Sequence, residues 1–244
     1  MSLASLTGAR IPHLAGAPYI NYVVAHLKFN ETAGATTFVD SSPYHSTYTQ
    51  QEAHLLTSSS SKGNPFGAGT AANIGQAPSA GIGAIAATAA QFTYSANEPF
   101  VIEGWVYIVS VAGTSFDGLC RTTQNTAART YGLGTHGSSH TLEWETGVTS
   151  SDTTVSVPSG SWVYLAQSYD GTTLRAYING SLIASSVQSN ISGVSASNNM
   201  LFGSTASQIF SEECYMSDWR VTLGVSRGYT GSTIPVPTKY FPTS

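Results

Sequence analysis

The chain has 244 residues, of which 41% are hydrophobic and only 9% are charged, and its net charge is −4. Nucleic-acid binding needs a basic surface and a membrane helix needs ~20 apolar residues in a row, so this sequence argues against both. With 13 tyrosines, nine phenylalanines and four tryptophans it predicts one folded β domain, since sandwiches of this length are common.

The first 22 residues show neither a helical nor a strand period, so we predict an extended N-terminal arm over residues 1–22. Its start lacks the basic and apolar regions of a signal peptide, and none is predicted. A chain end is ordered only when something anchors it, so we expect this arm to dock on its own domain or on a partner. The candidate partner-binding residues are Leu6, Ile11, Leu14, Tyr19 and Ile20.

Strand patterns begin directly after the arm. YVVAHLKF (22–29) alternates in polarity and predicts a half-buried strand, and TTFVDSS predicts a second short one. PFVIEGWVYIVSV (99–111) is rich in aromatic and β-branched residues and predicts a third. Residues 57–82 between them are rich in Ser, Gly and Ala, which predicts a long loop.

The second half of the chain contains several short segments that favour tight turns between strands. RTYGLGTH and HTLEWETG predict two strands joined by a hairpin at residues 136–140. Within residues 162–186, Asp170-Gly171 and Asn179-Gly180 favour tight turns and predict a three-stranded antiparallel meander. NNMLFGS and ECYMSDWRVTLG complete the set, and no segment predicts a helix.

Several segments, in order, resemble the laminin-G-like branch of the concanavalin A-like jelly roll. They are HLKFNETAGATTFVDSS, FVIEGWVYI, WVYLAQSYDGTTLRAYINGSLIAS, LFGS and CYMSDWRVTLGVSR. The resemblance covers about residues 24–227. It implies an all-β, two-sheet antiparallel jelly-roll sandwich, which we assign to residues 23–223.

The chain ends in GVSRGYTGSTIPVPTKYFP, which contains three prolines and no helix-forming run. Because proline restricts φ, such a segment loses little entropy when it is laid down on a surface. We predict that residues 224–244 form a C-terminal ribbon that packs on the sandwich or caps a sheet edge. This segment resembles the end of laminin-G-like domains in tailed-bacteriophage structural proteins, apart from the additional Gly228, and the resemblance implies a virion protein. The matching residues are Gly224, Val225, Arg227, Tyr229, Thr230, Pro235, Pro237, Phe241 and Pro242.

Glu143 and Glu145 are the strongest candidates for catalysis. Residues two apart on a strand point the same way, ~7 Å apart, and glycoside hydrolases use paired carboxylates. Glucanases of the resembling fold carry a third acid in this series, but Thr141 and Gly147 stand at those positions. We therefore expect the two glutamates to line the solvent face of a half-buried strand, with Trp144 inside.

Other candidate sites are weaker. Some laminin-G-like domains hold calcium, and the resemblance leaves calcium open here, but the aspartates form no acidic cluster with regular spacing, so we name no ligands and predict no other cofactor. Asp218 is a candidate partner for an arginine. His136 and His140 are expected to be solvated loop residues. The two cysteines are either buried free thiols or one disulfide, and their spacing leaves both open; they are Cys120 and Cys214.

A sugar-binding site would need exposed aromatic side chains. Trp105, Trp162 and Trp219 alternate with apolar neighbours and are predicted to lie in the core. The remaining candidates for exposed aromatic residues are Tyr44, Tyr48, Phe66 and Tyr131.

The function expected from these observations is structural and non-enzymatic. The chain would be a bacteriophage virion component, either capsid decoration or part of a tail or fibre, made in the bacterial host cytoplasm. It would bind other virion proteins, such as capsid or tail subunits, and further copies of itself. The alternatives are a lectin-like module that binds host glycans, and a glycoside hydrolase that uses Glu143 and Glu145.

Overall fold

A computed structural model of the chain describes residues 19–50, 56–74, 82–86, 90–111, 116–122, 131–146, 149–188, 191, 193, 199–204 and 212–243. These residues form sixteen strands and two short 3-10 turns, at Tyr19–Tyr22 and Ala90–Phe92. The strands are β1 (Val23–Leu27), β2 (Thr37–Val39), β3 (Thr47–Gln50), β4 (Leu56–Ser59), β5 (Ala71–Ile74), β6 (Ile82–Ala86), β7 (Phe100–Val111), β8 (Phe116–Thr122), β9 (Tyr131–His136), β10 (Thr141–Thr146), β11 (Thr149–Ser156), β12 (Trp162–Tyr169), β13 (Thr173–Ile178), β14 (Ser181–Val187), β15 (Met200–Ser204) and β16 (Glu212–Leu223).

The strands pair into two antiparallel sheets. The first sheet has the order β14-β13-β12-β7-β16-β5-β4, and β1 also pairs with β16. The second sheet has the order β11-β10-β9-β8-β15-β6-β3-β2. The predicted all-β, two-sheet antiparallel architecture is confirmed.

One continuous apolar core lies between the sheets. Trp219 of β16 is fully buried there, and its ring centroid lies 6.4 Å from that of Phe202 on β15. Phe100 of β7 packs against Tyr131 of β9 with ring centroids 5.1 Å apart. The indole N–H of Trp219 donates to the Trp105 carbonyl at 2.8 Å, so this large side chain is also fixed by a hydrogen bond.

The predicted meander is confirmed as β12, β13 and β14. The Asp170 carboxylate accepts the backbone N–H of Thr172 at 3.0 Å and of Thr173 at 2.8 Å, which closes the first turn. Asn179 and Gly180 adopt φ values of 48° and 78°, as a tight two-residue turn requires.

Residues 57–82 are not a single long loop, so that prediction is wrong. They include most of β4 and all of β5, and β5 pairs with β16 from Cys214 to Met216. Ala71 and Ala72 are fully buried in β5. Alanine has little strand propensity of its own. This segment forms a strand because its backbone hydrogen-bonds to the neighbouring strands.

The half-buried pattern predicted for β1 is also wrong, because all five of its residues are buried. The outward-pointing His26 is covered by Phe241, whose ring centroid lies 5.9 Å away. The arm prediction needs one change as well, since Tyr19–Tyr22 form a 3-10 turn instead of an extended segment. Cys120 and Cys214 are both buried, and they do not form a disulfide with each other.

Among the residues that the structure describes, no helix is long and apolar enough to span a membrane.

Candidate functional site

The outer face of the first sheet, which points away from the second sheet, carries a buried acid at its centre. Glu103 of β7 is fully buried, and Arg220 of β16 donates to its Oε1 from Nε at 2.9 Å and from Nη2 at 2.6 Å. The hydroxyls of Tyr164 and Tyr229 donate to Oε2, the latter at 3.0 Å. Arg227 Nε lies 3.5 Å from Oε1. Two arginines and two tyrosines therefore surround one carboxylate.

The electrostatics of this network favour an ionised glutamate. Burial by itself raises the pKa of Glu103, but the charges of Arg220 and Arg227 and the donated hydrogen bonds outweigh it and lower the pKa below its ordinary value. Burial and the adjacent Glu103 carboxylate raise the pKa of Tyr229 to about 12. At neutral pH the carboxylate is therefore an anion and the tyrosine a neutral donor.

The C-terminal ribbon, described over residues 224–243, lies across this network. The Phe241 ring centroid is 3.6 Å from Cζ of Arg220, a cation–π contact, and the Phe241 N–H donates to Asp218 Oδ2 at 2.8 Å. Asp218 Oδ1 lies 2.8 Å from Nε2 of His26. The suggested pairing of Asp218 with an arginine is therefore wrong, because its partners are a histidine and the ribbon backbone.

The ribbon also extends the first sheet at its edge. The N–H of Ile234 donates to the Gly180 carbonyl at 2.8 Å, and the N–H of Leu182 in β14 donates to Ser232 at 2.9 Å. The Tyr177 hydroxyl lies within hydrogen-bonding distance of two ribbon carbonyls, at 3.2 and 3.0 Å. The ribbon thus covers the start of an edge strand whose backbone would otherwise be open to pairing.

Two cavities adjoin at the ribbon. The first has a volume of about 320 Å³ and the second about 310 Å³. They share Arg220, Arg227 and Pro242. The remaining lining residues of the first are Tyr19, Ile20, Val23 and Thr243, and the second is enclosed by Tyr229 and residues 235–241.

The predicted partner-binding residues divide into two groups. Tyr19 and Ile20 both line the first cavity, and Tyr19 is 45% exposed, with its ring centroid 5.3 Å from Cζ of Arg227. The other three lie outside the described residues; they are Leu6, Ile11 and Leu14.

The predicted solvent exposure of the two strand glutamates is wrong. Glu143 is only 4% exposed and Glu145 is fully buried, although Trp144 between them lies inside as expected. Glu145 Oε2 lies 3.4 Å from Nε of Arg121, which is itself fully buried. A Cβ at Gly132 would lie 2.8 Å from Glu145 Oε2, so a glycine on the adjacent strand leaves room for the carboxylate. Glu143 and Glu145 are therefore both buried inside the protein.

A more accessible polar group lies beside these glutamates. His136 Nδ1 is 3.6 Å from Asp152 Oδ2 and 3.9 Å from Glu143 Oε2. The Thr141 hydroxyl donates to Asp152 at 2.7 Å. Within the described ranges, no three His, Cys, Asp or Glu side chains come together as a metal site.

The tryptophan predictions are only partly correct. Trp219 lies in the core, whereas Trp105 and Trp162 point outward from the first sheet and are half-buried. Trp162, Tyr107 and Tyr215 form a row across β12, β7 and β16, with successive ring centroids 5.8 and 6.3 Å apart.

The predicted exposed aromatic residues also need correction. Tyr48 and Tyr131 are fully buried in the core, so neither is available to a ligand. Tyr44 and Phe66 are half-buried.

The residues at the centre of the outer face were not predicted from the sequence. Glu103 stands alone in the apolar segment FVIEGWVYI, and Arg220 is the one basic residue of the strand EECYMSDWRVTL. A single charge inside an otherwise apolar strand is a signal for a buried ion pair, because an unpaired charge is rarely buried.

The sequence of the chain matches a known protein family. The family model described as the concanavalin A-like lectin/glucanases superfamily matches residues 79–216. No curated protein matches the chain.

Several solved structures share the fold. The binding domain of Paraclostridial Mosquitocidal Protein 1 has a TM-score of 0.62 at 11% identity, covering 87% of this chain and 51% of that one. The botulinum neurotoxin serotype G binding domain has a TM-score of 0.60 at 16% identity, covering 85% and 49%. This chain thus spans about half the length of either toxin domain.

A third structure is matched over nearly its whole length. It is domain 4 of AbnA, a GH43 extracellular arabinanase from Geobacillus stearothermophilus, in complex with arabinotriose. The TM-score is 0.58 at 16% identity, covering 85% of this chain and 95% of that one. At these identities the similarity shows the fold.

Proposed function

This chain belongs to the concanavalin A-like lectin/glucanases superfamily, and from that premise we propose that it is a non-enzymatic binding protein of a bacteriophage virion. It decorates the capsid or forms part of a tail or fibre, and it attaches to other virion proteins through its N-terminal arm. The observation that carries the proposal is the apolar cavity at the base of the arm, where the exposed Tyr19 meets Ile20 and Val23.

Two further features support this role. The C-terminal ribbon, whose sequence resembles that of tailed-bacteriophage structural proteins, uses Tyr229 and Phe241 for contacts within the domain. We propose that external contacts are made by the opposite end of the chain. A surface poor in charge also suits binding that persists over a range of salt concentrations, because salt screens mainly charged contacts.

The burial of the glutamate pair supports a role without catalysis. A glycoside hydrolase needs two carboxyl groups on either side of a sugar bond. Glu145 is instead packed against Arg121, and Glu143 is 4% exposed.

Deletion of residues 1–18 tests the proposal. We expect the copy number of this protein on assembled particles, measured by quantitative mass spectrometry, to fall at least about tenfold, which requires a loss of binding energy of at least about 1.4 kcal/mol. The deletion leaves the 3-10 turn and every described strand in place. Val187→Ser is the matched control, because Val187 is 79% exposed on β14 and should leave the copy number unchanged. Full occupancy by the deleted protein would contradict the proposal.

A second candidate function is glycan binding, and the row of Trp162, Tyr107 and Tyr215 favours it. Trp162 and Tyr107 are half-buried on the outer sheet face and offer apolar ring surface to a sugar, and domain 4 of the arabinanase was solved with arabinotriose.

A glycan array, followed by titration of arabinotriose and any array ligand, tests this second function. We expect Trp162→Ala to weaken binding by about tenfold, a loss of 1.4 kcal/mol. Tyr19→Ala changes an exposed aromatic residue at the arm cavity and should bind glycans normally. A silent array, or equal binding by Trp162→Ala, would exclude this function.

A further inference from the structure

The two adjoining cavities beside the ribbon have the size and chemistry of a docking groove. We propose that they receive the N-terminal arm of a second copy of this chain. The inference rests on the proposed role of the arm in binding, and it names both the occupant and the receiving surface.

The walls of the first cavity suit an apolar segment. Ile20, Val23 and Pro242 line it with aliphatic surface, and Tyr19 adds an aromatic ring. Both arginines of this cavity face Glu103: Arg220 donates two hydrogen bonds to it, and Arg227 Nε lies 3.5 Å from its Oε1. An incoming apolar side chain therefore does not strip water from an uncompensated charge.

The walls are also held in place before anything binds. Phe241 is fixed by its backbone hydrogen bond to Asp218 and by its contact with Arg220. The neighbouring Tyr229 is fixed by Glu103. A groove that is already ordered loses little entropy on binding, so more of the contact energy becomes affinity.

The sequence of the arm indicates what fills the groove. The four residues before Tyr19 are Ala-Gly-Ala-Pro, which are too small to fill a cavity of about 320 Å³. The nearest large apolar side chain is Leu14, followed by Ile11 and Leu6. These three side chains are large enough to occupy a cavity of this size, and they are among the five residues predicted to bind a partner.

The length of the chain before Tyr19 favours a second copy as the donor of these side chains. Leu14 is five residues from Tyr19, up to ~17 Å along an extended chain, and the 18 residues before Tyr19 span up to ~60 Å. The radius of gyration of a folded chain of this length is only ~18 Å, so an arm of this length can extend to a neighbouring domain.

This arrangement is head-to-tail. Each copy donates one arm and receives one, so the contact is heterologous and the assembly closes into a ring or continues along a surface. Both outcomes suit a protein present in many copies on a particle.

Mixing two full-length variants tests the proposal. In Ile11→Asp/Leu14→Asp the arm loses its anchors, and in Thr243→Trp an indole fills the cavity from the ribbon side. We expect the wild-type protein to be oligomeric by sedimentation velocity and each variant to be monomeric. An equimolar mixture should form a heterodimer of twice 25.5 kDa, because one variant keeps its cavity and the other its arm. Val187→Asp, on an exposed edge away from the cavity, should assemble like the wild type.

Each alternative outcome overturns the proposal. A monomeric wild type, a variant that still assembles, or a mixture that remains monomeric would show that the arm of one copy does not enter the cavity of another. Circular dichroism confirms that each variant is folded, and Ile20→Arg replaces Thr243→Trp if the latter is not. If the wild type is monomeric but loss of the arm still prevents incorporation into particles, the proposed function stands and only this inference fails.

Discussion

Replacing Glu103 with glutamine is expected to lower the free energy of unfolding by about 3–5 kcal/mol, as for other broken buried ion pairs. Glutamine preserves the shape of the side chain but removes its charge. Arg220, which donates two hydrogen bonds to Glu103, is then left buried without a counter-charge, and Arg227 loses its nearest carboxylate. Urea unfolding at pH 7 measures the difference.

The pH dependence of this loss gives an independent check. Because the folded-state pKa of Glu103 lies below its ordinary value of 4.5, ionisation stabilises the fold above pH 4.5. That stabilisation disappears as the pH falls through the lowered pKa. The difference between wild type and Glu103→Gln should therefore be constant near neutral pH and shrink under acid conditions.

Glu213→Gln is the matched control for this substitution. Glu213 is a half-buried glutamate on the same strand as Arg220, and its neutralisation should change stability by no more than about 0.5 kcal/mol. A loss below about 1 kcal/mol for Glu103→Gln, or a difference that grows as the pH falls, would show that the ion pair does not stabilise this face.

Gly104→Ala is the second substitution with a large expected effect, a destabilisation at or above the upper end of about 1–3 kcal/mol for overpacked cores. A Cβ at position 104 would lie 2.4 Å from two ring carbons of Trp219. The ring has little freedom to move, because its N–H is bonded to the Trp105 carbonyl and Phe202 packs against it. Thermal unfolding measures the loss.

Gly231→Ala separates this clash from a general effect of replacing glycine. The closest atom to a Cβ at position 231 is 3.6 Å away, which is ordinary contact. We expect that variant to unfold within a few degrees of the wild type. Equal melting temperatures for Gly104→Ala and wild type would mean that Trp219 can repack, contrary to the packing described above.

The elements that the sequence predicted well are those specified by local chemistry. Asp170-Gly171 and Asn179-Gly180 define their turns through side-chain hydrogen bonds and positive φ, and both hairpins were found where the dipeptides stand. In contrast, β5 was missed, because Ala71 and Ala72 become a strand only through pairing with β16.

The network around Glu103 at the centre of the outer face could not be predicted from the sequence, for a different reason. Alternation along β7 correctly directs Glu103 away from the core, but it cannot show that a segment more than 120 residues later covers that side. Glu143 and Glu145 were expected in solvent for the same reason, because alternation along a strand does not show which other segments cover it. Polarity indicates which way a side chain points, whereas burial depends on what lies above it.

The pairing of β1 with β16 has a consequence for synthesis on the ribosome. Ala25 pairs with Val221, so a strand made among the first must wait for one of the last before its ladder can form. The carboxylate of Glu103 then gains Tyr229 only after that strand has emerged from the exit tunnel. Folding of this sheet is therefore completed only after β16 and the ribbon have been translated, and nascent chains that stop short of Phe241 lack the residue that closes it.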